Sequence, residues 1–233
     1  MEKILISAPL NFRKEYCIDS YFSNALKFTY PRKEFYFVDN SPSPFYAMSK
    51  IKKFGLDIDW LDPKRMRNQD YIRDSMNVIR RKFLESDCDY MFVLECDLFP
   101  PLDIIERLLS HEAQVVAAPY FLGNGANSFL SDTDIEDSFG ETINNRNIGW
   151  HESFLNFKGT TTVAKQCGMG CVMIRRDVME QMDFFTAHDV PAHHDTFFYF
   201  ALNDLGIKTL YDTEIIVRHD NRSWKTVKDA QQH

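Results

Sequence analysis

The chain has 233 residues, 44% of them hydrophobic and including 20 Phe and 10 Tyr, so a large core is available and the composition argues against an intrinsically disordered chain. A formal net charge of −7 argues against a general nucleic-acid coat, though it is compatible with a local basic groove. The five cysteines (Cys17, Cys88, Cys96, Cys167 and Cys171) are scattered without a CxxC pair, which argues against a disulfide framework or a zinc ribbon.

The opening "MEKILISAPL" is too short an apolar stretch for a signal peptide, and no run approaches a membrane span. The expectation is a soluble, cytoplasmic chain with no transmembrane segment. A strand is predicted at 3–10, stopping at Pro9, and a helix at 14–28 through Cys17, Ile18, Phe22, Ala25 and Leu26. A second strand at 34–39 closes on the turn residues "NSPSP". A helix at 45–55 ending on Gly55 and an alternating strand at 56–62 follow.

The clearest helix is 67–86, with Ile72, Met76, Ile79 and Phe83 on one stripe. Residues 90–95, "YMFVLE", read as the fourth strand, and Pro100 and Pro101 are predicted to open the next helix. Residues 113–121 return to the sheet, while 122–160, rich in Asn, Gly, Ser and acids, read as a long excursion with at most short elements. Regular patterning resumes at 168–182, 195–206 and a strand-like 207–219, before a polar tail. This alternation predicts an α/β fold: a mostly parallel sheet with helices on both faces and ligands at the carboxyl ends of its strands.

One stretch poses a chemical question. Glu95 and Asp97 close the fourth strand two residues apart, so in extended backbone they point the same way. Their repulsion needs a cation, and no Lys or Arg lies within several residues. A hard divalent ion such as Mn2+ or Mg2+ is the implied partner, commonly shared with substrate phosphates. The alternative is a solvated strand end, with Asp97 capping the next helix.

The order strand–"ECD"–"LFPP"–helix–"QVVAAPYF"–polar stretch–"GMGCVMIRR"–"HHD"–helix–strand–"VRH" resembles the nucleotide-sugar-dependent glycosyltransferases of GT-A type over most of residues 3–219. Glu95-Cys96-Asp97 matches that family's Asp-x-Asp-like motif, with Glu in place of the first Asp. The resemblance implies a single domain over 1–233: a nucleotide-sugar-binding half at 1–121, a variable segment at 122–162, an acceptor half at 163–219 and a tail at 220–233. It implies metal-dependent, inverting transfer from a nucleoside-diphosphate sugar, UDP by default, to an acceptor hydroxyl.

By the same resemblance Asp97 binds the metal directly, and Glu95 does so through water or holds ribose or sugar. His219 adds a third ligand, and Asp195 acts as the catalytic base. Asp39 holds the base or ribose, Ala8 and Pro9 line the base pocket, Arg67 and Arg73 reach the base or diphosphate, and Gly168 and Gly170 allow close approach of sugar or acceptor. Each has a structural alternative: an Asx-turn for Asp39, a helix cap for Asp195, a surface role for His219, a solvated face for the arginines. His193 and His194 are placed beside the acceptor, and Trp150 and Trp224 as stacking platforms.

The acceptor is a glycan, a small molecule or a hydroxymethylated DNA base, the last drawing on Lys64, Arg65, Arg67, Arg80, Arg81 and Lys82 as basic surface. The competing classes are a haloacid-dehalogenase-type phosphatase, which Glu95 in the nucleophile position fits poorly, a sugar nucleotidyltransferase, for which "SAPLNFRKE" lacks the glycine-rich loop, and a binding module without turnover.

Overall fold

In the computed structural model the described residues are 1–63, 67–120, 129–131, 135–136, 142–143, 161–190, 192–215, 217–220 and 222. Lys64, Arg65, Trp150, Trp224 and most of the predicted excursion lie outside them. The first half runs β1 (Ile4–Leu10), a 3-10 turn (Phe12–Lys14), α1 (Glu15–Ala25), β2 (Lys33–Asp39), α2 (Phe45–Phe54), β3 (Asp57–Trp60), α3 (Asn68–Glu85) and β4 (Tyr90–Leu94). Next come β5 (Leu98–Phe99), α4 (Ile104–Leu109), β6 (Val115–Ala117) and the short strands β7 (Phe129–Ser131), β8 (Ile135–Glu136) and β9 (Thr142–Ile143). The chain continues with β10 (Thr161–Cys167), β11 (Cys171–Arg175), α5 (Arg176–Gln181), α6 (His194–Asp204), β12 (Thr209–Asp212) and β13 (Arg218–His219).

Nine strands form the main sheet in the order β3-β2-β1-β4-β11-β6-β12-β10-β7. β1, β2, β3, β4, β6, β7 and β12 point one way, and β10 and β11 run against them. The predicted mostly parallel α/β sheet is therefore observed. Successive residues of each strand feed opposite faces: on β4, Met91 and Val93 join a core with Met76, Ile79 and Phe83 of α3 and Phe198 of α6, whereas Phe92 and Leu94 pack with Ile18 and Phe22 of α1 and Ile105 of α4. Both faces are covered by helices. Among the described residues no helix is long and apolar enough to cross a membrane.

Three local expectations change. The prolines do not sit in the first turn of a helix: they directly follow β5, and α4 starts only at Ile104. The predicted strand 207–219 is broken where the Asp212 carboxylate accepts the Glu214 N–H at 2.9 Å, so β12 stays in the main sheet and β13 pairs with β5. The pattern at 168–182 does not begin in a regular element: Gly168–Gly170 connect β10 to β11, which run the same way in the sheet with β12 and β6 between them.

This topology sets the geometry of one edge. β1, β2, β3, β4 and β6 all end there, and antiparallel β11 begins there, which brings Gly170 beside Glu95: the Glu95 N–H donates to the Gly170 carbonyl at 2.8 Å. The β13–β5 register sets His219 opposite Leu98, one residue from Asp97.

Candidate functional site

A cleft of about 420 Å³ opens at this edge. Its lining includes Pro9, Asn11, Arg13 and Lys14 after β1, Asn40 after β2, Asn68, Tyr71 and Ile72 of α3, and Glu95, Cys96 and Asp97 after β4. Tyr120, His219 and the run His193, His194 and Asp195 complete the lining. Asp97, His219, Glu95 and Asp195, predicted from positions far apart in sequence, thus share one cavity.

Asp97 is 1% exposed. Its Oδ2 lies 3.1 Å from His219 Nε2 and also meets the Lys14 ammonium, while its Oδ1 is buried without a hydrogen-bond partner. Burial pushes the Asp97 carboxyl up, but the His219 hydrogen bond and the Lys14 charge outweigh it and hold the group below the usual carboxylate range. The sequence expectation of a missing counter-charge is therefore corrected: Lys14, 83 residues away in the chain, supplies one. His219 is fixed by the edge of the Tyr120 ring, with centroids 5.6 Å apart at 90°.

Glu95 is exposed to the cleft, yet enclosure by the surrounding protein and then the Asp97 charge push its pKa up to about 7. Glu95, Asp97 and His219 do not form a group with all donor atoms within 4.8 Å of one another. An unpartnered buried carboxylate oxygen, an imidazole nitrogen and a second acid nearby are a donor set that fits a hard-to-borderline divalent ion such as Mn2+. The tight three-donor group among the described residues, Glu34, Asp87 and Cys88, lies at the opposite end of the sheet, where Lys3 pairs with both acids.

Asp195 lies in the first turn of α6, facing the cleft, and its Oδ1 accepts the Thr196 N–H at 2.7 Å. The cap residue is His193, so Asp195 is not the N-cap. His194 is buried with Nδ1 unpartnered, its ring edge-on to Phe184 at 5.8 Å.

Other predicted site residues sit elsewhere. Asp39 is fully buried and does not line the cleft: Oδ1 accepts both the N–H and the hydroxyl of Ser41, and Oδ2 accepts the Ala47 N–H at 3.0 Å. It closes its own turn and caps α2, and its neighbour Asn40 faces the cavity instead. Arg67 pairs with Asp70 at 2.8 Å and donates to the His188 carbonyl at 2.6 Å. Arg73 pairs with Asp74 at 2.7 Å and donates to Thr186 Oγ1 at 2.8 Å. Both arginines tie α3 to the 186–188 segment, away from the cleft. Ala8 is buried in β1 and only Pro9 reaches the cavity.

A Cβ on Gly170 would lie 2.7 Å from the Tyr120 ring and 2.8 Å from Leu98, so the close approach that requires glycine is to Tyr120. Gly168 is half-buried at the end of β10. Of the basic residues considered for DNA, Arg80 donates to the Met179 carbonyl and Lys82 pairs with Asp57. Sequence reading missed Lys14, Asn40 and Tyr71. The last had a usable signal, an aromatic in the first turn of a helix that starts at the ligand-binding edge.

No family model and no curated protein sequence matches the chain. Among solved structures it is similar to GalNAc-T7, determined with UDP, GalNAc and Mn2+, at a TM-score of 0.64 and 11% identity, over 94% of this chain and 44% of that one. It is also similar to residues 1–349 of S. aureus TarS, at a TM-score of 0.55 and 12% identity, over 92% of this chain and 60% of that one. The same TarS fragment in complex with UDP gives 0.54 and 12%, over 97% and 63%. These neighbours are GT-A glycosyltransferases. The chain has the GT-A-like fold. It spans less than two thirds of those neighbours' lengths. The acids that follow β4 and the acid of α6 all line this one cleft.

Proposed function

We propose that the chain is a metal-dependent glycosyltransferase that moves a sugar from a nucleoside-diphosphate donor, by default UDP-linked, to an acceptor hydroxyl with inversion. The observation that carries this reading is the pairing of Asp97 with His219, one carboxylate oxygen left without a partner, in a cavity that Asp195 also lines. The GT-A-like fold and the UDP and Mn2+ complexes among its neighbours support it.

In this reading Asp97 and His219 hold Mn2+ or Mg2+, with Glu95 acting through water or on the sugar. An ion held by these residues would supply positive charge to offset the negative charge of the leaving diphosphate. Pro9, Asn40 and Tyr71 form the wall against which the nucleoside rests, Tyr71 offering a ring to the base. Asp195 accepts the acceptor's hydroxyl proton as that oxygen bonds to the anomeric carbon from the face opposite the diphosphate, which leaves with the bonding pair. His193 stands beside Asp195 at the acceptor end.

The test is a panel of nucleotide sugars scored for donor hydrolysis and for transfer, with Mn2+ and after chelation. Chelation abolishes both activities. Asp195→Asn retains UDP affinity measured by calorimetry and loses transfer by about 10²–10⁴-fold, the usual contribution of a positioned base. A parallel loss of UDP affinity in Asp195→Asn overturns the division of roles.

A further inference from the structure

Lys14 is a side chain that the sequence reading did not anticipate, and its ammonium pairs with the buried Asp97 carboxylate in the cleft. It ends the 3-10 turn after β1, where its backbone N–H bonds the Asn11 carbonyl at 2.9 Å and Asn11 Oδ1 caps the Arg13 N–H at 3.1 Å. Asn11 is itself tied to Asn40 Oδ1 at 2.8 Å. The backbone beneath Lys14 is thus anchored, while its side chain is 28% exposed and reaches into the cavity over four rotatable bonds.

The charges in the cavity define a problem. Glu95, Asp97 and Asp195 are its carboxylates, and Arg13 and Lys14 are the permanently cationic side chains in its lining. A diphosphate entering this cleft meets acids unless their charge is covered. A divalent ion on Asp97 replaces the role Lys14 has there and leaves an ammonium a few ångströms away without its carboxylate, next to the ion that binds phosphate.

We propose that Lys14 is a resident cation exchanged within the site: it covers Asp97 before metal arrives, competes with the divalent ion for that carboxylate, and then turns to a phosphoryl oxygen of the diphosphate. This inference rests on the donor reading above and adds to it a residue that makes ion and nucleotide binding depend on each other. In free protein Lys14 weakens the affinity for the ion. With nucleotide present it strengthens the complex, because an ammonium–phosphate hydrogen bond is charge-assisted.

The experiment is calorimetry on the full chain with Mn2+ alone, and then with UDP at saturating Mn2+, for the wild type and Lys14→Met. The variant binds Mn2+ alone about tenfold more tightly and binds UDP with Mn2+ about tenfold more weakly, the scale of one charge-assisted contact. These opposite shifts identify the exchange, since general damage to the cleft weakens both. Two unchanged affinities, or two weakened ones, overturn the proposal while leaving the donor reading intact. Wild-type protein that binds neither Mn2+ nor UDP removes the donor reading itself, and this inference with it. Lys14→Gln carries the same comparison if Lys14→Met does not fold.

Discussion

The carboxyl ends of β2 and β4 look alike in sequence and are opposite in chemistry. Each delivers an aspartate at the ligand-binding edge, and Asp39 and Asp97 are both buried, at 0% and 1% exposure. Asp39 is saturated by three hydrogen bonds from Ser41 and Ala47, and burial still raises its carboxyl above the ordinary value. Asp97 has one oxygen without a partner and the other held between Lys14 and His219, and its carboxyl is lowered. A carboxylate whose oxygens are all taken by its own turn is structural. One that is buried, charged and incompletely paired retains capacity for a ligand.

The sharpest way to break this contrast is to remove each acid in turn. Asp97→Ala should lower UDP affinity in the presence of Mn2+ by about 10²-fold or more, since an ion that stabilises charge by several kcal/mol is lost. Lys14, released, turns to solvent, and the buried His219 loses its Asp97 contact, so stability falls by about 1 kcal/mol. Asp39→Ala should do the reverse. It strands buried N–H groups and costs about 1–3 kcal/mol of stability, while the folded fraction binds UDP as wild type does. Calorimetry beside a urea titration reads both properties. Equal losses of UDP affinity in the two variants would show that Asp39 does hold the nucleotide.

This pair also marks what the sequence could and could not convey. The strands and helices from Ile4 to Leu94 were legible because apolar period and turn residues are local signals, as at Gly55, whose φ of +67° ends α2 where predicted. Motif order grouped Asp97 with His219, and the two side chains meet at 3.1 Å. Asp39 was not resolved, because an Asx-turn and a nucleotide contact call for the same residue at the same place. Lys14 was invisible for a different reason: its partner lies 83 residues away, and no periodicity encodes that pairing. The insertion of β11 between β4 and β6 is likewise non-local, and it sets Gly170 beside Glu95.

That insertion provides a gentler probe of the β4 end. Gly170→Ala should destabilise the fold by about 1–3 kcal/mol, because the added methyl meets the buried Tyr120 and Leu98 side chains at under 3 Å. Tyr120 braces His219, so Mn2+ affinity should fall as well, while the turn around Asp39 is untouched. Full retention of Mn2+ affinity in a destabilised Gly170→Ala protein would separate the Tyr120 packing from the ion site.

The smallest effect expected is a pH dependence from His194, the other buried polar group here with an unpartnered atom. Burial holds its pKa down at about 4, against an ordinary value of 6.5, with the neighbouring Asp195 charge opposing that shift. Between pH 4 and 6.5 the unfolded chain therefore binds a proton that the folded chain refuses. Stability from this group is complete above pH 6.5 and declines as pH falls toward 4. His194→Phe, which fills the place beside Phe184 without a titrating ring, should flatten that part of the curve in urea titrations at successive pH values. An unchanged slope would mean that His194 finds a partner for its proton in solution, and its Nδ1 would then resemble the satisfied oxygens of Asp39 rather than the open one of Asp97.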